Sequence, residues 1–307
     1  MKCDILSEES SLLKKLLYRI IKKHIAGTTA ASAIKVLKSI NKEGIKTTVT
    51  FLNDLEDCSN QTKTRYNFTS YLQLSKELFR LMINSDISIR LSQLGYPQND
   101  GIIEDLPEIL KYIPIKNVLW IEYEPKFEFE KMYDFIKEIN NPQLGLEVST
   151  SLLEDKSTLN KIMELKNVKL VPFDYRNGNL NTIEVKIKKK VDAITEYQRI
   201  LSKIQKYKYN IHILMPDEKI TQKLIDADKK TKKGLIKKNL TFELLLGSSN
   251  RKIKSIKSNG VNLCIYVAYG KDWMEYAANR LTTGRIHDIS LNMLDTKKEN
   301  VGDTIGK

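Results

Sequence analysis

The chain has 307 residues, 41% of them hydrophobic and 29% charged, with a formal net charge of +13. That balance is globular and excludes a disordered chain, and no apolar run approaches the ~18 residues of a membrane span. The positive field favours anionic partners, but no zinc finger, aromatic-interleaved RNA motif or helix-turn-helix accompanies it, so no nucleic-acid partner is expected.

In chain order, "MKCDILSEESSLLKKLLYRIIKK" is too acidic early and too polar later for a secretory signal. It reads as an amphipathic helix lying on the rest of the protein, and residues 1–45 as N-terminal helices packed on the main domain. The protein is expected in the cytoplasm, with at most peripheral membrane contact. "AASAIKVLKSINKEG" has helical spacing and stops at Gly44. Eight apolar, β-type runs follow: "KTTVTFL" (46–52), "DISIRL" (86–91), "NVLWIE" (117–122), "LGLEV" (144–148), "VKLVP" (168–172), "YNIHIL" (209–214), "TFELLL" (241–246) and "NLCIYV" (262–267). Helix-like spacing fills 63–84, 126–140, 155–166, 190–206 and 217–232, and "FDYRNGNLNTIEV" (173–185) reads as a loop over the mouth. The tail, 289–307, reads as an appendage.

Short apolar strands alternating with helices imply parallel pairing with crossover connections, buried on both faces. Eight is the count that closes a (β/α)8 barrel. The rival, an open doubly wound sheet, usually carries a glycine-rich turn after its first strand, and "TFLNDLED" has none. The expected fold is therefore a (β/α)8 barrel over 46–288, with function on the loops after the strands' carboxyl ends. Those positions hold Asn53, Asp54, Arg90, Glu122, Glu124, Ser149, Pro172, Asp174, Met215, Asp217, Leu246, Gly247 and Tyr269. Cations and carboxylates alternate there, which suits a charged small molecule.

Cys3, Cys58 and Cys264 are far apart, and His24, His212 and His287 form no ligand pair, so the sequence carries no evident metal site. His212 reads as a core residue, His24 and His287 as exposed. The basic clusters at 186–190, 229–234 and 251–257 read mainly as solvated faces.

After the last strand, "YVAYGKDWMEYAANRL" places Trp273, Tyr276 and Arg280 on one helix face. This segment resembles the end of the proline dehydrogenase family, approximately "YvPyGxxWxxYlxRRLxEN". "HIAGTTAASAIKVLKSINKEGI" is similar to that family's "vAGxtxeeAlxxxxxLnxxGi", "SIRLSQLG" to "sxKlsxLg" and "WIEYEP" to "xDmE". "VKLVPFDY" resembles "vRLVKGAY", and "TFELLLG" resembles "feFqmLyG"; the matching order covers residues 24–283.

The resemblance implies an FAD-dependent distorted barrel that oxidises proline, or a related cyclic imino acid, to pyrroline-5-carboxylate by hydride transfer to flavin N5. It implies Arg90, Glu122 and Lys169 as the catalytic set, and Arg280, Asn279, Leu246 and Tyr269 at the substrate. It implies Lys169, Ser149, Pro172, Tyr175 and Thr283 at the cofactor, and a quinone or other electron acceptor. Departures are many. Arg90 stands for a lysine, Glu122 for an aspartate, Lys169 for an arginine, Leu246 for a tyrosine, Ser149 for a glutamine and Asn279 for the first of two paired arginines. Two other readings stay open: a flavin-free barrel binding a small anion or a protein partner, and a basic nucleic-acid or membrane-surface binder. The oligomeric state is open too.

Overall fold

A computed structural model describes Tyr18 and residues 22–53, 60–98, 101–124, 126–171, 210–214, 218–231 and 240–274. Helix α1 (Ala30–Lys42) starts at a capping box in which the Thr29 side chain accepts from Ser32 N at 3.2 Å, and it buries Ala33 and Leu37 one turn apart. Strand β1 (Lys46–Phe51) leads to α2 (Gln61–Arg80), which is capped by Asn60 and buries Asn67, Phe68, Tyr71, Leu74 and Leu78 at helical spacing.

Strand β2 (Ser85–Ile89), a 3-10 turn (Leu91–Leu94), α3 (Ile102–Leu110), β3 (Leu119–Ile121) and α4 (Phe129–Ile139) come next. Then come β4 (Leu144–Ser149), α5 (Lys156–Glu164), β5 (Asn167–Val171), β6 (Asn210–Leu214) and α6 (Glu218–Thr231). Strand β7 (Leu240–Leu245), α7 (Asn250–Ser258) and β8 (Asn262–Tyr269) complete the described elements. The expected loop at 173–185, the helix at 190–206 and the tail lie outside the described residues.

The eight strands form one closed barrel in chain order, with every neighbouring pair parallel and β8 pairing back onto β1. Strand parity divides the side chains into two sets. Val49, Ile87, Leu119, Leu146, Val168, Leu170, Ile213, Leu244 and Val267 face outward and pack with Leu37, Tyr71, Leu106, Ile136 and Leu159 of the helices. The other parity points inward and is largely polar: Lys169, His212 and Glu243 meet across the lumen, with Trp120 among them.

Two helices escaped the sequence pattern. Helix α3 carries Pro107, which removes a backbone donor and reads as a breaker, yet Ile102, Leu106, Ile109 and Leu110 still bury one face. Helix α7 is short and lysine-rich, with Ile256 its buried residue. Strand β3 starts later than "NVLWIE", at Leu119, since Val118 N donates to the Asp86 carboxylate at 2.8 Å.

Two glycines make room for this closure. After β8, Gly270 has φ +146°, and a Cβ there would lie 2.0 Å from the Leu52 carbonyl oxygen, so the turn seats against the end of β1. A Cβ on Gly145 would lie 2.6 Å from two ring carbons of Trp120, which is fully buried in the lumen. Gly145→Ala is therefore expected to destabilise the fold by about 1–3 kcal/mol through overpacking. An unchanged urea midpoint would contradict a lumen filled at that level.

The segment before α1 is seated at the mouth. Ile25 bridges to Ala268, Ala26 N donates to Ala268 O at 2.8 Å, and His24 Nδ1 lies 3.0 Å from Leu246 O. His24, expected to be exposed, is thus buried, because this segment covers the ends of β7 and β8. Among the described residues no helix is long and apolar enough to cross a membrane.

Candidate active site at the barrel mouth

Arg90 follows the last residue of β2 and Glu122 the last of β3, so both reach the carboxyl-end mouth. Arg90 Nε donates to Glu122 Oε2 at 3.0 Å, and the Tyr266 hydroxyl donates to Glu122 Oε1 at 2.5 Å. Glu122 is buried while a quarter of the Arg90 side chain stays exposed. The carboxylate is thereby held from both sides, and the guanidinium remains at the surface of the mouth. Charge-assisted bonds of this kind are about twice as strong as neutral ones.

A second carboxylate two residues on fixes the turn that carries Arg90. Glu124 accepts from Ser92 N at 3.1 Å and from the Ser92 hydroxyl, pinning the start of the 3-10 turn. Within that turn, Gln93 accepts from Tyr71 Oη at 2.7 Å and donates to Phe51 O at 2.8 Å, while Asn67 Nδ2 donates to Gln93 O at 2.9 Å. Asn53 is hydrogen-bonded to Asn67 and so belongs to the same buried support.

Lys169 is placed lower. It is fully buried, with Nζ 3.1 and 3.0 Å from the two carboxylate oxygens of Glu243, and His212 Nδ1 lies 3.0 Å from Glu243 Oε2. On the same inward parity one step up, Val171, Leu214, Leu245, Tyr266 and Ala268 pack together as an apolar shelf. A second pair, half-buried Lys46 with its Nζ 2.8 Å from buried Asp86, lies at the β1–β2 side, and Trp120 Nε1 donates to Asp86 at 3.0 Å. Burial pulls the Lys46 pKa down, but Asp86 more than restores it and leaves it raised.

His212, Glu243 and Cys264 bring three ligand-type atoms within 4.8 Å of one another, a grouping invisible to sequence spacing. The Lys169 ammonium is already the cation on Glu243, and burial pushes the Cys264 thiol well above its ordinary value, away from the thiolate that a metal requires. The cluster therefore reads as an ion pair with a neutral imidazole.

Its pH dependence follows. Burial lowers the His212 pKa below its ordinary 6.5. Burial alone would raise Glu243, but the Lys169 charge and the bonds from His212 and Lys169 bring it to about 2. Both groups bind protons more readily in the unfolded chain. Stability is therefore full above about pH 6.5, falls as His212 of the unfolded chain protonates, and falls again below about pH 4.5. Denaturant midpoints at pH 7.5 and 5.5 check the upper step, which His212→Gln should flatten.

Of the other expected site residues, Ser149 is buried at the end of β4, Leu246 is half-buried beyond β7, and Tyr269 is buried at the end of β8, its ring 5.2 Å from that of Phe51. Burial pushes the Tyr269 phenol pKa up. Pro172, Tyr175, Asn279, Arg280 and Thr283 lie outside the described residues, as do Asp54, Asp174, Met215, Asp217 and Tyr276. Trp273 is described and packs beside the shelf, its ring 5.3 Å from that of Tyr18. The structure thus joins Arg90 to Glu122 and joins Lys169 to Glu243 beneath them.

Sequence reasoning missed Tyr266 as a site residue, and also Asp86, Glu243 and Glu147, whose carboxylate accepts from Tyr123 N at 3.3 Å. The signal for the carboxylates was present: each is an acid inside a fully buried strand of β-type residues, "SDISI", "LGLEVS" or "LTFELL".

No family model matches the chain. Proline dehydrogenase 2 of Bacillus subtilis (strain 168) is 23% identical over 271 residues, covering 84% of each chain. The proline dehydrogenase of Deinococcus radiodurans is 21% identical over 284 residues, covering 88% of each. Among solved structures, proline utilization A from Bdellovibrio bacteriovorus, inactivated by N-propargylglycine, superposes with a TM-score of 0.72 at 16% identity, covering 89% of this chain. The match spans 33% of that longer protein, so the likeness carries the barrel fold.

Proposed function

We infer that this chain, a distant homologue of the proline dehydrogenases, oxidises proline or a related cyclic imino acid to pyrroline-5-carboxylate with FAD. The observation that carries the reading is Glu122 held between the Arg90 guanidinium and the Tyr266 phenol at the mouth of the barrel. Arg90 offers a planar cation to the substrate carboxylate, with Arg280 as its expected partner. Glu122 holds Arg90 in place, and Tyr266 fixes Glu122. Leu246 and Tyr269 share the outward parity of Leu244 and Val267, so they would support the strand ends at the substrate from the helix side, and Asn279 would join Arg280.

The residues fit the flat ring of a flavin in one respect: Val171, Leu214, Leu245 and Ala268 form the apolar shelf that an aromatic ring system requires. Ser149 and the chain around Pro172, Tyr175 and Thr283 would hold its polar parts. When bound, the flavin supplies the hydride acceptor, so the protein's task is binding, orientation and exclusion of water. With FAD bound, the substrate would give up a hydride from the ring carbon beside nitrogen to the flavin and a proton from the nitrogen to solvent water, leaving a C=N bond. A quinone or another acceptor would take the electrons afterwards. We assign the protein to the cytoplasm, with at most peripheral membrane contact.

A second reading, a flavin-free barrel that binds a small anion, draws on the engagement of Lys169 by Glu243. Supplying FAD, proline and an artificial electron acceptor separates the two. Proline-dependent reduction of the acceptor with release of a cyclic imine is expected. Its absence at saturating FAD and proline would favour the anion-binding barrel.

A further inference from the structure

We propose that Lys169 is a positioning residue that acts through Tyr266, and that it does not touch the ligand at the mouth. The proposal rests on the reading of the mouth as a substrate site. Lys169 Nζ lies 5.5 Å from the centroid of the Tyr266 ring and 4.8 Å from that of Trp120, while Glu243 holds it with both carboxylate oxygens. Both ring distances are within cation–π range. The other end of the Tyr266 ring carries the hydroxyl that donates to Glu122. An unbroken line of contacts thus runs from Glu243 through the Lys169 ammonium, the Tyr266 ring and the Glu122 carboxylate to the Arg90 guanidinium.

The line sets geometry at the mouth from below. A cation under the ring draws electron density from the phenol, which strengthens its hydrogen bond to Glu122 and restricts ring tilt. Glu243 decides where the ammonium sits. In the family pattern "feFqmLyG" its position is a glutamine, which has no charge to hold a cation; in this chain a carboxylate does so from strand β7. Val171, the next inward residue on β5, belongs to the apolar shelf above and is buried with Lys169. The ammonium is therefore committed to the lumen.

The test neutralises the pair together, because Lys169→Met alone would strand Glu243. K169M/E243Q, with K169Q/E243Q as a second version if the first does not fold, is compared with Y266F and with the triple variant. The double variant is expected to raise KM for proline about 3- to 10-fold, with kcat changed less. Y266F is expected to do the same, and the triple variant to add nothing further. The absorption spectrum of bound FAD is expected to stay unchanged in the double variant, since nothing that touches the ring has been altered. A shifted flavin spectrum, or KM effects that multiply in the triple variant, would overturn the proposal.

A readout free of catalysis separates this proposal from the functional reading. In protein without FAD, the Tm losses of the double variant and of Y266F should fall short of additivity by roughly 2–4 °C. Additive losses would overturn the coupling even in an active enzyme. Sub-additive losses in a protein inert toward proline would keep the coupling and refute the function.

Discussion

Glu122→Ala is expected to lower kcat/KM for proline about 100- to 1,000-fold. The carboxylate accepts from Arg90 on one oxygen and from Tyr266 on the other, and it is almost fully buried. Removing Glu122 takes a charge-assisted bond worth about 1.5–3 kcal/mol from Arg90 and the acceptor from the Tyr266 hydroxyl, and each ~1.4 kcal/mol is a decade. Arg90 is part-exposed and can turn toward water, so the lower end of the range is expected for folding and the upper end for catalysis. Glu122→Gln keeps an acceptor for the phenol but removes the charge, and a KM increase of about 10-fold is expected. Steady-state kinetics beside a thermal melt check both. Unaltered kinetics in Glu122→Ala would mean that Arg90 is not framed by this residue.

Glu243→Ala has the largest expected effect on stability. It leaves the fully buried Lys169 ammonium and the His212 ring without their shared acceptor. The loss is expected to be about 3–5 kcal/mol, a fall in Tm on the order of 10 °C. Removal of both charges in K169M/E243Q is expected to lose much less, since an ion pair is weakly stabilising against its neutral replacement while a stranded charge is strongly destabilising. A Glu243→Ala variant within ~1 kcal/mol of the parent would mean that water reaches Lys169.

The architecture was legible because each of the eight strands is a short apolar run, and closure followed from their number and from the missing glycine-rich turn. The place of Arg90 and Glu122 at the mouth was legible because they end such runs. Helix α3 was not, since Pro107 masks a face that tertiary packing nonetheless buries.

The lumen was the least legible part. Whether Asp86, Glu147 or Glu243 points inward depends on strand parity within a closed sheet, and a one-residue slip would turn each outward. Lys169 shows the same limit: the carboxylate that holds it is 74 residues away on β7, and adjacency across the lumen leaves no local pattern. Tyr266 sat within the motif that resembles the last strand of the family, yet its bond to Glu122 spans 144 residues and required the barrel to be closed.

The most direct measurement of the central claim is an anaerobic titration of the FAD-loaded protein with proline. Bleaching of the flavin band near ~450 nm in proportion to the proline added, and its loss in Glu122→Ala at the same proline concentrations, is the predicted result. A protein that binds FAD and keeps its oxidised spectrum at saturating proline, or one that binds no FAD, would contradict it.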